Sequence, residues 1–233
     1  MTSKTDLPTI EVTVGAPVAT VWESLRNPEL IKRWHGWHFD SLDEEIQLIF
    51  VNPESVDEAN HVLVSGGSDR FELTEVPEGT SVRITRPPYV PDEEWSAYYD
   101  DITEGWTSFL QQLKFMHEVH PGEDRRTIFL MARGPADGVP TLLETPPVDL
   151  GEPWFRSAHQ QGVTLPSLGP GLLITAAKAP VEGEDGPMGA DVMAIITTYG
   201  LDDAAFDGQR EAWTTWWRSV YPDADPAADR ATG

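Results

Sequence analysis

Between Asp100 and His120 the residues Ile102, Trp106, Phe109, Leu110 and Leu113 recur at steps of four, seven, eight and eleven, so a single helical face carries all five. Asp100, Asp101 and Glu104 fall where the positive end of a helix dipole favours anions, and Lys114, His117 and His120 lie towards the other end. Pro121-Gly122 ends the segment. A helix of this length spans about 30 Å. Its apolar stripe requires a sheet or further helices as cover.

Upstream the period changes to two. Ile10, Val12 and Val14 alternate with Thr9, Glu11 and Thr13, which predicts a half-buried strand. Pro17 then opens a helix with Val18, Val21, Trp22 and Leu25 on one stripe, and Asn27-Pro28 starts a second short helix carrying Leu30, Ile31 and Trp34, ended by Gly36. Four strand-like runs follow: Glu45 to Val51, His61 to Ser65, Arg70 to Val76 and Thr80 to Arg86. Gly66-Gly67 and Pro77-Glu78-Gly79 are short enough for hairpins, which predicts an antiparallel meander covered by the long helix.

The second half predicts strands at Arg125 to Ala132, Thr141 to Glu144, Trp154 to Val163, Gly171 to Ala179 and Asp191 to Tyr199, joined by Gly/Pro-rich links of which VEGEDGPMG reads as a mobile hairpin tip. A closing helix spans Asp202 to Tyr221. Its EAWTTWWRSV (Glu211 to Val220) repeats EGWTSFLQQL (Glu104 to Leu113), with Glu, Trp and Thr identical. Residues 1–121 and 122–221 therefore read as two tandem sheet-plus-helix units, the second lacking the short helices, with residues 222–233 a disordered tail. One expanded sheet wrapped by both helices is the alternative.

Those segments resemble the START-like superfamily, also called SRPBCC or the birch-pollen-allergen fold. APVATVWESLRNPELIKRWHG, DRFELTEVPEGTSVRITR and GWTSFLQQL are similar to the family named for homology to the activator of the ninety-kilodalton heat-shock protein's ATPase. The likeness covers roughly residues 7 to 119 and rests on structural positions, chiefly Pro17, Trp22, Trp34 and Trp106. SLDEEIQLIFV departs from it by lacking the paired glycines of the strand after the second helix. The resemblance implies an α+β helix-grip fold, an antiparallel sheet wrapped on a long C-terminal helix. It names no catalytic residue.

Composition narrows the function classes. The 39 acidic and 16 basic residues give a charge of −23, spread as 22 against 8 up to Pro121 and 17 against 8 beyond it. Such a field repels phosphate backbones and anionic membranes, so neither nucleic acid nor membrane is an expected partner. No apolar run reaches the roughly 20 residues needed to span a bilayer. MTSKTDLPTI lacks a signal-peptide core, which leaves the cytoplasm as the expected compartment. Absence of cysteine excludes disulfides, thiolate metal sites and thiol nucleophiles.

No motif supplies a catalytic set. WHGWHF places His35 and His38 three apart, and His61 could join them on a metal, but with no HExxH and no Cys the expectation is solvated histidines, no metal and no cofactor. The acidic pairs read as solvated loops or helix starts, and neither a phosphate loop nor Gly-x-Ser-x-Gly occurs. Trp213, Trp216 and Trp217 read as core.

The resemblance implies an apolar cavity between sheet and helix. The expected function is binding of a hydrophobic small molecule, whether lipid, polyketide or aromatic. The residues expected to line the site are Trp22, Trp34, Trp37, His38, Phe71, Trp106, Phe109 and Leu113. Two other classes stay open. One is a cyclase, dehydratase or aromatase on the same fold, which a buried polar residue such as His38 or His61 would favour. The other is a chaperone-associated interaction module, and a homodimer is compatible with either.

Overall fold

The computed structural model describes residues 9–87, 93–133, 146–157, 159–177, 181–183, 186–188 and 191–222. The chain divides into two compact units, Met1–Gly36 with Ser41–Gly122, and Trp37–Asp40 with Glu123–Gly233. Each is an antiparallel five-stranded sheet with a long helix laid on one face, so the class is α+β with a helix-grip arrangement.

In the first unit β1 (Thr9–Val14) is followed by α1 (Val18–Arg26), α2 (Pro28–Ile31) and α3 (Leu42–Ile46), the last continuing as a π-helical turn over Gln47–Val51. Then come β2 (Ser55–Asp57), β3 (Val62–Val64), β4 (Arg70–Val76), β5 (Gly79–Thr85) and α4 (Glu93–Val119). The strand order is β1-β5-β4-β3-β2. Strand pairing lines up Ile10, Ile84, Phe71 and Leu63 in one cross-strand row and Val12, Val82 and Leu73 in the next. The intervening row is Glu11, Arg83 and Glu72, so one face is apolar and the other charged. Trp106, Leu110 and Leu113 of α4 are buried, and Trp106 meets Phe71 edge-on at 5.0 Å. Gly79 closes the β4–β5 hairpin at φ +135, and a Cβ there would collide with the Val14 carbonyl oxygen.

The second unit contains β6 (Arg125–Arg133), β7 (Pro153–Arg156), β8 (Gln160–Leu165), β9 (Gly171–Ala177), a short hairpin of β10 (Val181–Gly183) with β11 (Gly186–Met188), then β12 (Asp191–Tyr199) and α5 (Asp203–Val220). Its sheet runs β6-β12-β9-β8-β7. Set the added hairpin aside, and both sheets have the order first, fifth, fourth, third, second. The described strands of the two units thus form two separate five-stranded sheets. Ile128, Leu130, Leu173, Ala194 and Ile196 pack with Phe206, Trp213, Trp216 and Trp217 of α5 in one core. Asp202 caps α5 by accepting the Ala205 N–H at 2.8 Å.

Three sequence expectations are corrected. Glu45 to Val51 is helical: Leu42, Ile46 and Phe50 recur at steps of four and all are buried, while Asp43, Glu44 and Glu45 suit a first helical turn. Leu48, which a strand would have buried beside them, is 65% exposed. Trp154 to Val163 is two strands, because Ser157 Oγ accepts the Gln160 N–H at 3.0 Å and turns the chain between them. The long helix begins at Glu93, seven residues before Asp100. The expected strand at Thr141 to Glu144 and the tail from residue 223 onward lie outside the described residues. No helix among the described residues is long and apolar enough to cross a membrane.

Candidate functional site

Inside the first unit, Asp69 directly precedes β4 and Arg86 directly follows β5, strands whose pairing sets Arg70 opposite Thr85. The two side chains thus emerge at the same end of two neighbouring interior strands, 9% and 6% exposed, and form an ion pair of 3.1 Å. Asp69 Oδ2 also accepts the Trp106 indole N–H at 2.8 Å, and Arg86 donates to Thr103 Oγ1 at 2.8 Å. Both charges keep partners where water is excluded, which is the condition for burying them at all. The network ties α4 to the sheet.

Beside it lies His35, fully buried. Trp34, Phe50, Trp106 and Phe109 surround the imidazole at centroid distances of 5.6, 5.1, 5.6 and 4.8 Å. Its Nε2 lies 2.8 Å from Glu45 Oε1, and the Glu45 side chain is 36% exposed. An imidazole in an apolar shell, joined to a carboxylate that reaches water, is a pair able to carry a proton between the interior and solvent. The sequence expectation of solvated histidines is corrected here, because α3 folds helically and brings Glu45 to the ring.

Of the residues expected to line a ligand site, Trp34, Phe71 and Leu113 are fully buried, Trp106 nearly so, and Phe109 half-buried. Ring contacts run Trp34 to Phe50 at 5.5 Å, Phe50 to Phe71 at 5.8 Å, Phe71 to Trp106 at 5.0 Å and Trp106 to Phe109 at 5.8 Å. Trp22 sits at the margin, donating to Glu58 Oε2 at 2.6 Å with its ring edge-on to His61. Trp37 and His38 go elsewhere. Both belong to the second unit, where Trp37 stacks on Phe129 at 3.9 Å and 3° and His38 packs on Thr127, its backbone N–H donating to Oγ1 at 2.8 Å. His35, His38 and His61 therefore each have different partners and are not gathered. Among the described residues no group of three His, Asp or Glu side chains is placed to hold a metal.

Burial and the Arg125 and Arg126 charges lower the His38 pKa to about 4. Burial also lowers the Arg125 pKa to about 10 and raises that of Tyr199, opposite it on β12, to about 12. Burial lowers His117 as well, whose Nε2 lies 3.1 Å from Ser24 Oγ.

The second unit carries a different polar pattern. Trp217 Nε1 donates to the Met131 carbonyl at 3.3 Å. The indole N–H groups of Trp213 and Trp216 and the hydroxyl of Thr175 are buried and have no hydrogen-bond partner. Thr175 lies between Leu173 and Ala177 on β9 and opposite Ala194 on β12, so it faces α5 with them. Sequence reasoning weighed His35 only as a metal ligand and passed over Asp69, Arg86 and Thr175. Asp69 and Arg86 were legible as charges bounding strands, whereas nothing local marks Thr175.

No family model matches the chain, and no curated protein matches it. Among solved structures, DynU16, a protein of the dynemicin biosynthetic locus, is 15% identical, with 97% of this chain and 99% of that one covered and a TM-score of 0.36. The protein SSP2350 from Staphylococcus saprophyticus is 22% identical, covering 48% of this chain and 90% of its own, with a TM-score of 0.38. The di-domain ARO/CYC StfQ of the steffimycin biosynthetic pathway is 10% identical, covering 92% and 98%, with a TM-score of 0.32. At these scores the likenesses decide neither fold nor activity, which rest on the sheets and side chains themselves.

Proposed function

We propose that the chain binds a hydrophobic small molecule between sheet and long helix, as the START-like resemblance of its first half implies. The observation that carries this reading is the aromatic shell around His35. Trp34, Phe50, Phe71, Trp106 and Phe109 meet mostly edge-on against the middle of α4, with His35 and the Asp69 carboxylate directed among them and Phe109 left half-buried. Small-molecule sites have this makeup: mostly apolar and aromatic walls with a few placed polar groups that fix orientation. Trp22, Trp34, Phe71, Trp106, Phe109 and Leu113 are the wall in this reading, and Trp37 and His38 belong to the second unit. The pairs Asp69–Arg86 and His35–Glu45 are internally compensated, which favours an uncharged or weakly polar guest.

A thermal-shift panel of fatty acids, sterols and fused-ring aromatics tests it. Ligand present at a hundred times its Kd adds about 2.7 kcal/mol of stability, a clear rise in Tm for a chain of this length. A flat response across the panel contradicts the proposal.

A second reading is chemistry on the bound molecule, of the cyclase or dehydratase type. The His35–Glu45 distance of 2.8 Å favours it, because a buried imidazole braced by a carboxylate is a general base or acid for any substrate that reaches it. His35→Gln leaving turnover of a bound β-polyketone unchanged would remove this reading and leave binding intact.

A further inference from the structure

We propose that the interior of the second unit is itself a binding site, for a neutral, flat apolar molecule bearing oxygen acceptors, held by Trp213, Trp216 and Thr175. This rests on the small-molecule reading and adds the unit, the chemical class and the donors.

Trp213 is fully buried and Trp216 is 7% exposed, yet neither indole N–H has an acceptor. An indole nitrogen can only donate, and a buried donor left unmade carries the cost of its lost hydration. The two rings meet edge-on at 5.4 Å. Thr175 adds a third unpartnered polar atom, on the side of β9 whose Leu173 and Ala177 share this core. The arrangement is particular to this core: Trp217, one position on, finds the Met131 carbonyl, and Trp106, which aligns with Trp213 in the helix repeat, finds Asp69.

The chemistry of a guest follows from the lining. Two donors and a hydroxyl call for oxygen acceptors. Ala132 and Ala177 flank Val192 in one cross-strand row and Ala194 stands between Leu130 and Thr175 in the next, so small side chains thin part of this core face, which suits a planar skeleton. Among the described residues no charged side chain is buried in this core, Arg125 of β6 lying on the face opposite Leu130 and Ala132. The nearest cation on the same face of β6, Arg126, is paired to Asp203 at 2.8 Å and lies over the Phe206 ring. An anion there would be desolvated without compensation, so the guest is neutral.

The test uses the whole chain labelled at the tryptophan indole nitrogen, titrated with xanthone and with xanthene, which share one skeleton and differ in the ketone oxygen. Trp213→Phe and Trp216→Phe identify their two indole N–H resonances among the nine tryptophans and remove the donor together with part of the ring. Xanthone is expected to move those two resonances and to bind about three- to tenfold more tightly than xanthene, the worth of one neutral hydrogen bond. The preference is expected to vanish in the double variant while xanthene binding persists. Thr175→Val, which keeps shape and volume, is expected to shrink it and serves if the tryptophan variants fold poorly. Equal affinity for both compounds overturns the inference and leaves small-molecule binding standing, as does movement confined to the resonances of Trp34 and Trp106. Binding of neither compound overturns it too, and a flat thermal-shift panel alongside then removes the proposed function as well.

Discussion

Trp106 Nε1 donates to Asp69 Oδ2 at 2.8 Å, and the other oxygen of that carboxylate takes the Arg86 guanidinium at 3.1 Å, so one buried anion joins α4 to the ends of two strands. Asp69→Ala strands both partners. Loss of one member of a buried pair costs about 3–5 kcal/mol, because the remaining charge stays desolvated. Urea unfolding of the variant is expected to show a drop of that size, and Asp69→Ala with Arg86→Met is expected to recover part of it. A drop below about 1 kcal/mol would mean that Arg86 reaches water.

The same pair shows what a sequence can and cannot disclose. The alternation of Phe71 and Leu73 against Arg70 and Glu72 announced a sheet with one wet face, and the four-residue recurrence through Trp106, Leu110 and Leu113 announced its cover. Both are local patterns. The pairing of Asp69 with Arg86 depends on the β4–β5 register, which brings residues seventeen apart in sequence together. Glu45 to Val51 misled because five of its residues are apolar or β-branched in a short run, where period two and period 3.6 are hard to separate. The helix was legible one step wider, in Leu42, Ile46 and Phe50. Of the residues expected at the site, Trp34, Phe71, Trp106 and Phe109 share one set of ring contacts, completed by Phe50 and His35, which were not expected there. Trp37 and His38 are not in it, since no local rule says which unit a four-residue segment joins.

His38 sets a pH dependence. Its folded pKa is lowered, to about 4 from an unfolded value near 6.5, so the native state holds the neutral ring. A depressed histidine contributes stability that is present above pH 6.5 and is lost as pH falls towards 4, where the unfolded chain takes up the proton first. Arg125 and Arg126 flank the ring and oppose its charging. Tm measured from pH 7.5 to pH 4.5 is expected to fall less steeply in His38→Asn than in the wild type. Identical slopes would place the ring in water.

Gly79 stands at φ +135 where a Cβ meets the Val14 carbonyl. Gly79→Ala therefore combines left-handed strain with a backbone collision, and the β1 end of the sheet has to move. A loss of about 2 kcal/mol or more in urea unfolding is expected, given about 1–3 kcal/mol for strained backbone alone. The exposed Gly208→Ala in α5, which meets nothing within 4 Å, is expected to gain up to about 1 kcal/mol.

Thr175 gives a prediction whose sign depends on the ligand. Its hydroxyl is buried and unpartnered in the protein alone, so Thr175→Val exchanges an unsatisfied group for a methyl. That change is expected to stabilise the ligand-free protein by about 1 kcal/mol. In the presence of a ketone ligand the variant is expected to gain less from binding than the wild type. Destabilisation of the ligand-free variant would show that Thr175 has a partner, most simply a bound water.

Native mass spectrometry of the chain incubated with the fatty-acid, sterol and fused-ring panel, followed by extraction of what is retained, tests the binding of a hydrophobic molecule most directly. The expected result is a stoichiometric added mass that survives gentle desolvation and is released by unfolding in acid. A bare protein mass with every compound, at concentrations where the Tm is also unchanged, would contradict it.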